Sequence, residues 1–165
     1  MSESTQTAEV DTAGASVPFP PPLAYFAGMA IGFALHLFLP LPLVASTRTL
    51  QLIHLFGWVL LVLSSGLVIS AVVSFRRART THHFSRASSS LIASGPFRLS
   101  RNPAYLAGAL VHCSLALLAN ALWPLLLLLP ALVIVNNFIK REEQYLSRRF
   151  GLEYEAYRHR VRRWV

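Results

Sequence analysis

Residues 102–139 read NPAYLAGALVHCSLALLANALWPLLLLLPALVIVNNFI, 38 positions without one Asp, Glu, Lys or Arg. A single helix of that length, at 1.5 Å per residue, would be nearly twice the ~30 Å thickness of a bilayer's hydrocarbon core. The stretch is therefore predicted to fold back on itself, with Asn120, Trp123 and Pro124 at the turn and spans over 103–119 and 122–139. Two more charge-free windows, 12–47 and 49–75, each exceed the ~20 residues that one crossing needs. They predict a span over 23–44, entered through Pro18, Pro20, Pro21 and Pro22 and left through Pro40 and Pro42, and another over 50–75. Composition agrees: of 165 residues 54% are hydrophobic and 13% charged, with a mean hydropathy of +0.49, which excludes an ordinary soluble domain. The expected fold is all-α, an integral membrane protein of four transmembrane helices. Residues 1–18 form a tail, 19–75 the first two helices, and 76–165 the part that carries chemistry.

A net charge of +8 raises nucleic-acid binding, so position has to decide. Six Arg lie between Arg76 and Arg101 and eight Lys or Arg between Lys140 and Arg163, which leaves Arg48 alone. Four crossings put both clusters, 14 of 15 basic residues, on one face, and the positive-inside rule makes that face and both termini cytoplasmic. The expected partners are membrane lipids, whose anionic headgroups favour each juxtamembrane Arg by about 1 kcal/mol, and not nucleic acid. The tail, rich in Ser, Thr and Ala with Glu3, Glu9 and Asp11 but no Lys or Arg, reads as disordered rather than as a cleaved signal. Past Ile139 the charged run from Lys140 extends the fourth helix out of the membrane until Gly151 caps it. A short helix with Tyr154, Tyr157 and Arg158 follows, and Trp164 suits an interfacial anchor.

Cys113 stands alone, which excludes a disulfide framework and a thiolate zinc site. His36, His54 and His112 lie singly inside spans without ligand spacing and are expected as neutral groups hydrogen-bonded between helices. His82 and His83 follow Thr80 and Thr81 in the long polar loop and read as solvated. No metal is expected.

Two polar segments meet on the cytoplasmic side. In the first, Asn102 is a good N-cap, Pro103 suits the first helical position, and the helix start favours a carboxylate or phosphate. Gly95 and Gly108 would admit a ligand close to the backbone. In the second, Arg141-Glu142-Glu143, neither glutamate has a cation four residues away, and Lys140 reaches Glu143 only in the less favourable order. The pair is expected to attract a cationic ligand, or to pair with Arg98 or Arg101.

The run Gly95-Pro96-Phe97-Arg98, then Arg101-Asn102-Pro103-Ala104-Tyr105-Leu106, an apolar hairpin, Arg141-Glu142-Glu143, Phe150-Gly151 and Tyr154-Glu155-Ala156-Tyr157 resembles the isoprenylcysteine carboxyl methyltransferases. These belong with the phospholipid N-methyltransferases among small integral-membrane methyltransferases. The resemblance covers roughly residues 75–165. It implies S-adenosylmethionine as methyl donor, in a cytoplasmic pocket shaped by Gly95, Pro96, Arg101, Asn102, Pro103, Tyr105 and Gly108. Glu142 and Glu143 would meet its ribose or ammonium end, and Tyr154 and Tyr157 would close the pocket. Where eukaryotic members have Arg-His-Pro this chain has Arg101-Asn102-Pro103, so an Asn amide replaces an imidazole. Fewer N-terminal spans than eukaryotic members, and Arg in preference to Lys, fit a bacterial inner-membrane protein.

Methyl transfer from a sulfonium is an in-line displacement that needs alignment and desolvation. A carboxylate acceptor needs an Arg to hold it, and Arg148 or Arg149 are the candidates. An amine acceptor needs a base, and Glu143 is the candidate. The expected function is methylation of a lipophilic acceptor, a carboxylate or thiol of an isoprenoid-like or lipid molecule. A phospholipid amine is the alternative, and a non-enzymatic scaffold that has kept the fold the third reading.

Overall fold

Proline sets the limits of the first helix. α1 (Pro22–Phe38) begins at a residue whose missing N–H is not needed there, and it stops before Pro40, well short of the expected residue 44. The computed structural model describes residues 21–77 and 91–165. The tail 1–18 and the loop residues Thr80, Thr81, His82 and His83 lie outside the described residues. α2 (Thr47–Arg77) is followed by a single 3-10 turn (Gly95–Arg98), then α3 (Pro103–Leu118), α4 (Leu122–Phe150) and α5 (Leu152–Arg160). The described chain is all-helical, as expected.

The count of full-length crossings is corrected. α2 and α4 are long and apolar enough to cross a membrane, whereas α1 and α3 have 17 and 16 residues and rise only about 24–26 Å. α3 sits centrally against α2 and α4, and α1 packs on α4. The outer faces are apolar: Phe26 on α1, Val62 and Ile69 on α2, and Val133 on α4 are all more than 60% exposed.

Both helical hairpins turn at the same end. Asn120, at φ 49°, holds the α3–α4 turn where the sequence places it, and its Oδ1 accepts from the Leu43 and Val44 amides at 3.1 Å. Trp123 Nε1 donates to Leu39 O at 2.8 Å, so this turn is tied to the α1–α2 connection. The opposite end therefore gathers the last turn of α2, the 3-10 turn, the start of α3, the extension of α4, and α5.

Small residues let the backbones approach. Gly28 and Gly32, in a small-xxx-small pattern on α1, face α4. A Cβ at Gly32 would lie 2.6 Å from Pro124 Cα and 2.7 Å from Pro124 N. His112, fully buried, joins α3 to α4 through Nε2 and Pro124 O at 2.9 Å, in keeping with the expected interhelical bond. Ser114 Oγ likewise donates to Gly57 O on α2 at 2.9 Å. Gly32→Val is expected to lose at least about 1–3 kcal/mol of stability through backbone overlap. Gly66→Ala on α2, with nothing near its added methyl, is expected to hold or raise stability. Thermal unfolding of the two variants in detergent checks the contrast.

Candidate functional site

Along α4 the buried positions Pro124, Leu128, Ala131, Val135, Ile139 and Glu143 recur every three or four residues. Glu143 is thus the last member of the helix's inward stripe, while Glu142 is turned about 100° away and remains exposed. A buried carboxylate has to be paired. Arg101 Nη2 lies 2.8 Å from Glu143 Oε1, and Arg163 donates from Nη2 to Oε2 at 2.6 Å and from Nε to both oxygens at 3.1 Å. Arg101 was one of the two expected partners; Arg98 is not involved, and Arg163 is new.

Arg163 arrives on the segment after α5, which is laid across the start of α3. The Arg101 amide donates to Arg162 O at 3.0 Å. Ser100 Oγ and Asn102 Nδ2 both donate to Arg163 O at 3.1 Å. Asn102 is the N-cap of α3 by position, yet its side chain holds this segment and caps nothing. Trp164 packs against the cluster that includes Tyr25, Tyr105 and Ile139.

α5 is fixed to α4 by Ser147 Oγ donating to Glu155 Oε1 at 2.6 Å, across Gly151, which ends α4 at φ 51° as its sequence position implies. Tyr157 OH donates to Phe97 O at 2.7 Å, and Phe97 meets Phe75 edge to face. Tyr154 is 1% exposed, and its hydroxyl has no partner among the described residues. Burial pushes both hydroxyls up to about 12, so both stay protonated donors at neutral pH.

The glycines expected to admit a ligand also have protein neighbours. A Cβ on Gly95, at φ 61°, would lie 2.7 Å from Ser74 Oγ, and one on Gly108 would lie 2.9 Å from the Tyr25 ring. Pro96 and Pro103 are buried. Arg149 Nη1 donates to Tyr145 OH at 3.2 Å with its guanidinium over Phe150. Arg148 lines a cavity of about 380 Å3 beside Lys140 and Glu143.

Glu142 is the acid left available. Tyr105 OH donates to its Oε2 at 3.3 Å, and the Tyr105 carbonyl is held by Tyr25 OH at 3.1 Å. Its Oε1 accepts nothing among the described residues. The local chemistry is therefore a carboxylate oxygen without a donor among the described residues, on a group whose pKa is raised by desolvation, and, on α5, a buried hydroxyl donor for an acceptor atom. That complement suits S-adenosylmethionine, which carries a sulfonium and an ammonium together with ribose hydroxyls and a carboxylate. Among the described residues no group of three His, Cys, Asp or Glu is placed to hold a metal. The sequence signal that separates the two glutamates is the three-and-four spacing of the α4 stripe; the part played by Arg163 has no sequence signal.

The profile of the phospholipid methyltransferase family matches residues 52–153, more than half of the chain. A stretch of 35 residues is 49% identical to an uncharacterized protein of Haemophilus influenzae, covering 21% of this chain and 56% of that one. The chain thus spans about half the length of this curated relative. No solved structure matches.

Proposed function

The chain belongs to the phospholipid methyltransferase family, and from that premise we propose that it moves a methyl group from S-adenosylmethionine to an acceptor carried by a membrane lipid, where α3, α4 and α5 meet. The observation that carries this reading is the division of labour in the acidic pair. Glu143 is closed by two arginines, and Glu142 stays open beside Tyr105. When bound, S-adenosylmethionine supplies a methyl group on a sulfonium, open to in-line displacement. Glu142 takes the proton from the attacking group, Tyr105 OH fixes the carboxylate's orientation, and the packed tyrosines of α5 exclude water.

An amine acceptor fits best. A carboxylate acceptor would need a cation near Glu142, and Arg148 and Arg149 have other surroundings. The order favoured by the sequence is thus reversed: a phospholipid amine comes first, and an isoprenoid-like carboxylate or thiol second. Glu142 also replaces Glu143 as the base, since both oxygens of Glu143 accept from arginine. All four apolar helices lie in a bacterial inner membrane, α1 and α3 held between longer neighbours, with the basic end and both termini cytoplasmic.

Labelled S-adenosylmethionine, incubated with the protein and either extracted phospholipids or a prenylcysteine analogue, tests the acceptor. Label in the aminophospholipid fraction is the expected result, and label in the analogue alone would overturn the amine reading. No label anywhere, with no heat of cofactor binding in calorimetry, would leave only the scaffold.

A further inference from the structure

Next to the Arg101–Glu143–Arg163 clamp lies a cavity of about 510 Å3 walled by Arg101, Arg158, His159, Arg160, Arg162 and Arg163. Neither Tyr105 nor Glu142 lines it. The one carboxylate on its wall, Glu155, already accepts from Ser147 Oγ at 2.6 Å and from Arg158 at 3.4 Å. Glu143 balances Arg101 and Arg163, while Arg160 and Arg162 meet no carboxylate among the described residues. Guanidinium groups gathered this closely oppose one another unless an anion lies between them. Two of them are held in place, since Arg101 and Arg163 are both fastened to Glu143, and the Arg101 amide ties the Arg162 backbone to the same wall.

Two details point to a ligand rather than to a merely solvated basic surface. Carbonyls at the end of α5 would repel an anion, but three of them are occupied: Arg158 O by Arg101 Nη1, Ala156 O by Arg160 Nε, and Tyr157 O by the Val161 amide, all at 3.1–3.2 Å. In addition the Arg101 side chain is only 9% exposed and its Nε has no partner among the described residues. This leaves a buried, charged donor unused in the wall. Planar guanidinium forks match phosphate oxygens, and the volume suits a phosphate with a small polar substituent.

We propose that this cavity is a phosphate site, separate from the methyl-transfer site, that seats either the phosphate of an anionic lipid headgroup or that of a soluble phosphate ester. It lies at the end of the molecule that also carries Arg76, Arg77 and Lys140, the level at which headgroups stand beside α2 and α4. Four of its five arginines come from positions 158–163, past the last residue of the family match.

The full chain, in neutral detergent at fixed ionic strength, is titrated with short-chain phosphatidylglycerol, short-chain phosphatidylcholine and inorganic phosphate, beside an Arg160→Gln/Arg162→Gln variant. Neither side chain holds an ion pair among the described residues, so the variant is expected to keep the parent's circular dichroism and unfolding temperature. Phosphatidylglycerol is expected to bind the parent more tightly than phosphatidylcholine and to bind the variant roughly tenfold more weakly than the parent. A loss seen with inorganic phosphate alone also supports the site and makes its occupant a soluble ester. Equal affinities of parent and variant for every titrant, or no binding to the parent, overturn it. The readout is binding, so its failure and a failure of methyl transfer are distinguishable.

Discussion

Glu142→Gln is expected to lower methyl transfer to an amine by about 10²–10⁴, the range that a positioned general base contributes, with the unfolding temperature unchanged. The amide oxygen of glutamine still accepts from Tyr105 OH, so the geometry at 3.3 Å persists while the proton acceptor is gone. The variant's rate should climb with pH, as solvent deprotonates the amine that Glu142 no longer can. Tyr105→Phe removes only the orienting bond, and its loss should be nearer tenfold. Initial rates across pH 6–10 are the measurement; a Glu142→Gln enzyme as fast as the parent would remove Glu142 from the chemistry.

The second large effect is on folding. Glu143→Ala strips the counter-charge from Arg101 and Arg163 together and leaves the largely buried Arg101 guanidinium without its carboxylate. Breaking a buried pair in this way costs about 3–5 kcal/mol, or roughly 6–20 °C in unfolding temperature for a chain of this size. Arg163→Ala should cost less, because Arg101 still meets Glu143 and because Arg163 is partly solvated. Thermal unfolding in detergent orders the two. If Glu143→Ala unfolds with the parent, the clamp does not hold the C-terminal segment to α3.

Much of the architecture is legible in the sequence because bilayers impose coarse, additive rules. The charge-free window 102–139 requires a turn, Asn120 and Pro124 mark it, and the two basic clusters require the loop before α3 and the extension of α4 to meet. Gly151 ends α4 for a local reason that a single residue can carry. The limits of α1 are less legible, since apolarity continues to Val44 while the geometry before Pro40 does not. Least legible are side-chain partners. Nothing local distinguishes Arg163 from Arg162, and only the placing of the C-terminal segment on Ser100 and Asn102 brings one of them to Glu143. Gly95 and Gly108 are partly legible for a related reason: space beside a glycine is visible in sequence, but the neighbours that an added Cβ would meet, Ser74 and Tyr25, are not.

The two kinds of glycine contact also differ in what genetics can repair. At Gly108 the obstacle is the ring of Tyr25, so a suppressor that trims that ring could restore a Gly108→Ala allele. At Gly32 the obstacle is the main chain of Pro124, which no exchange of side chains can move aside. Lesions at that crossing should therefore have no compensating allele on the facing helix, and selections for revertants there should return glycine.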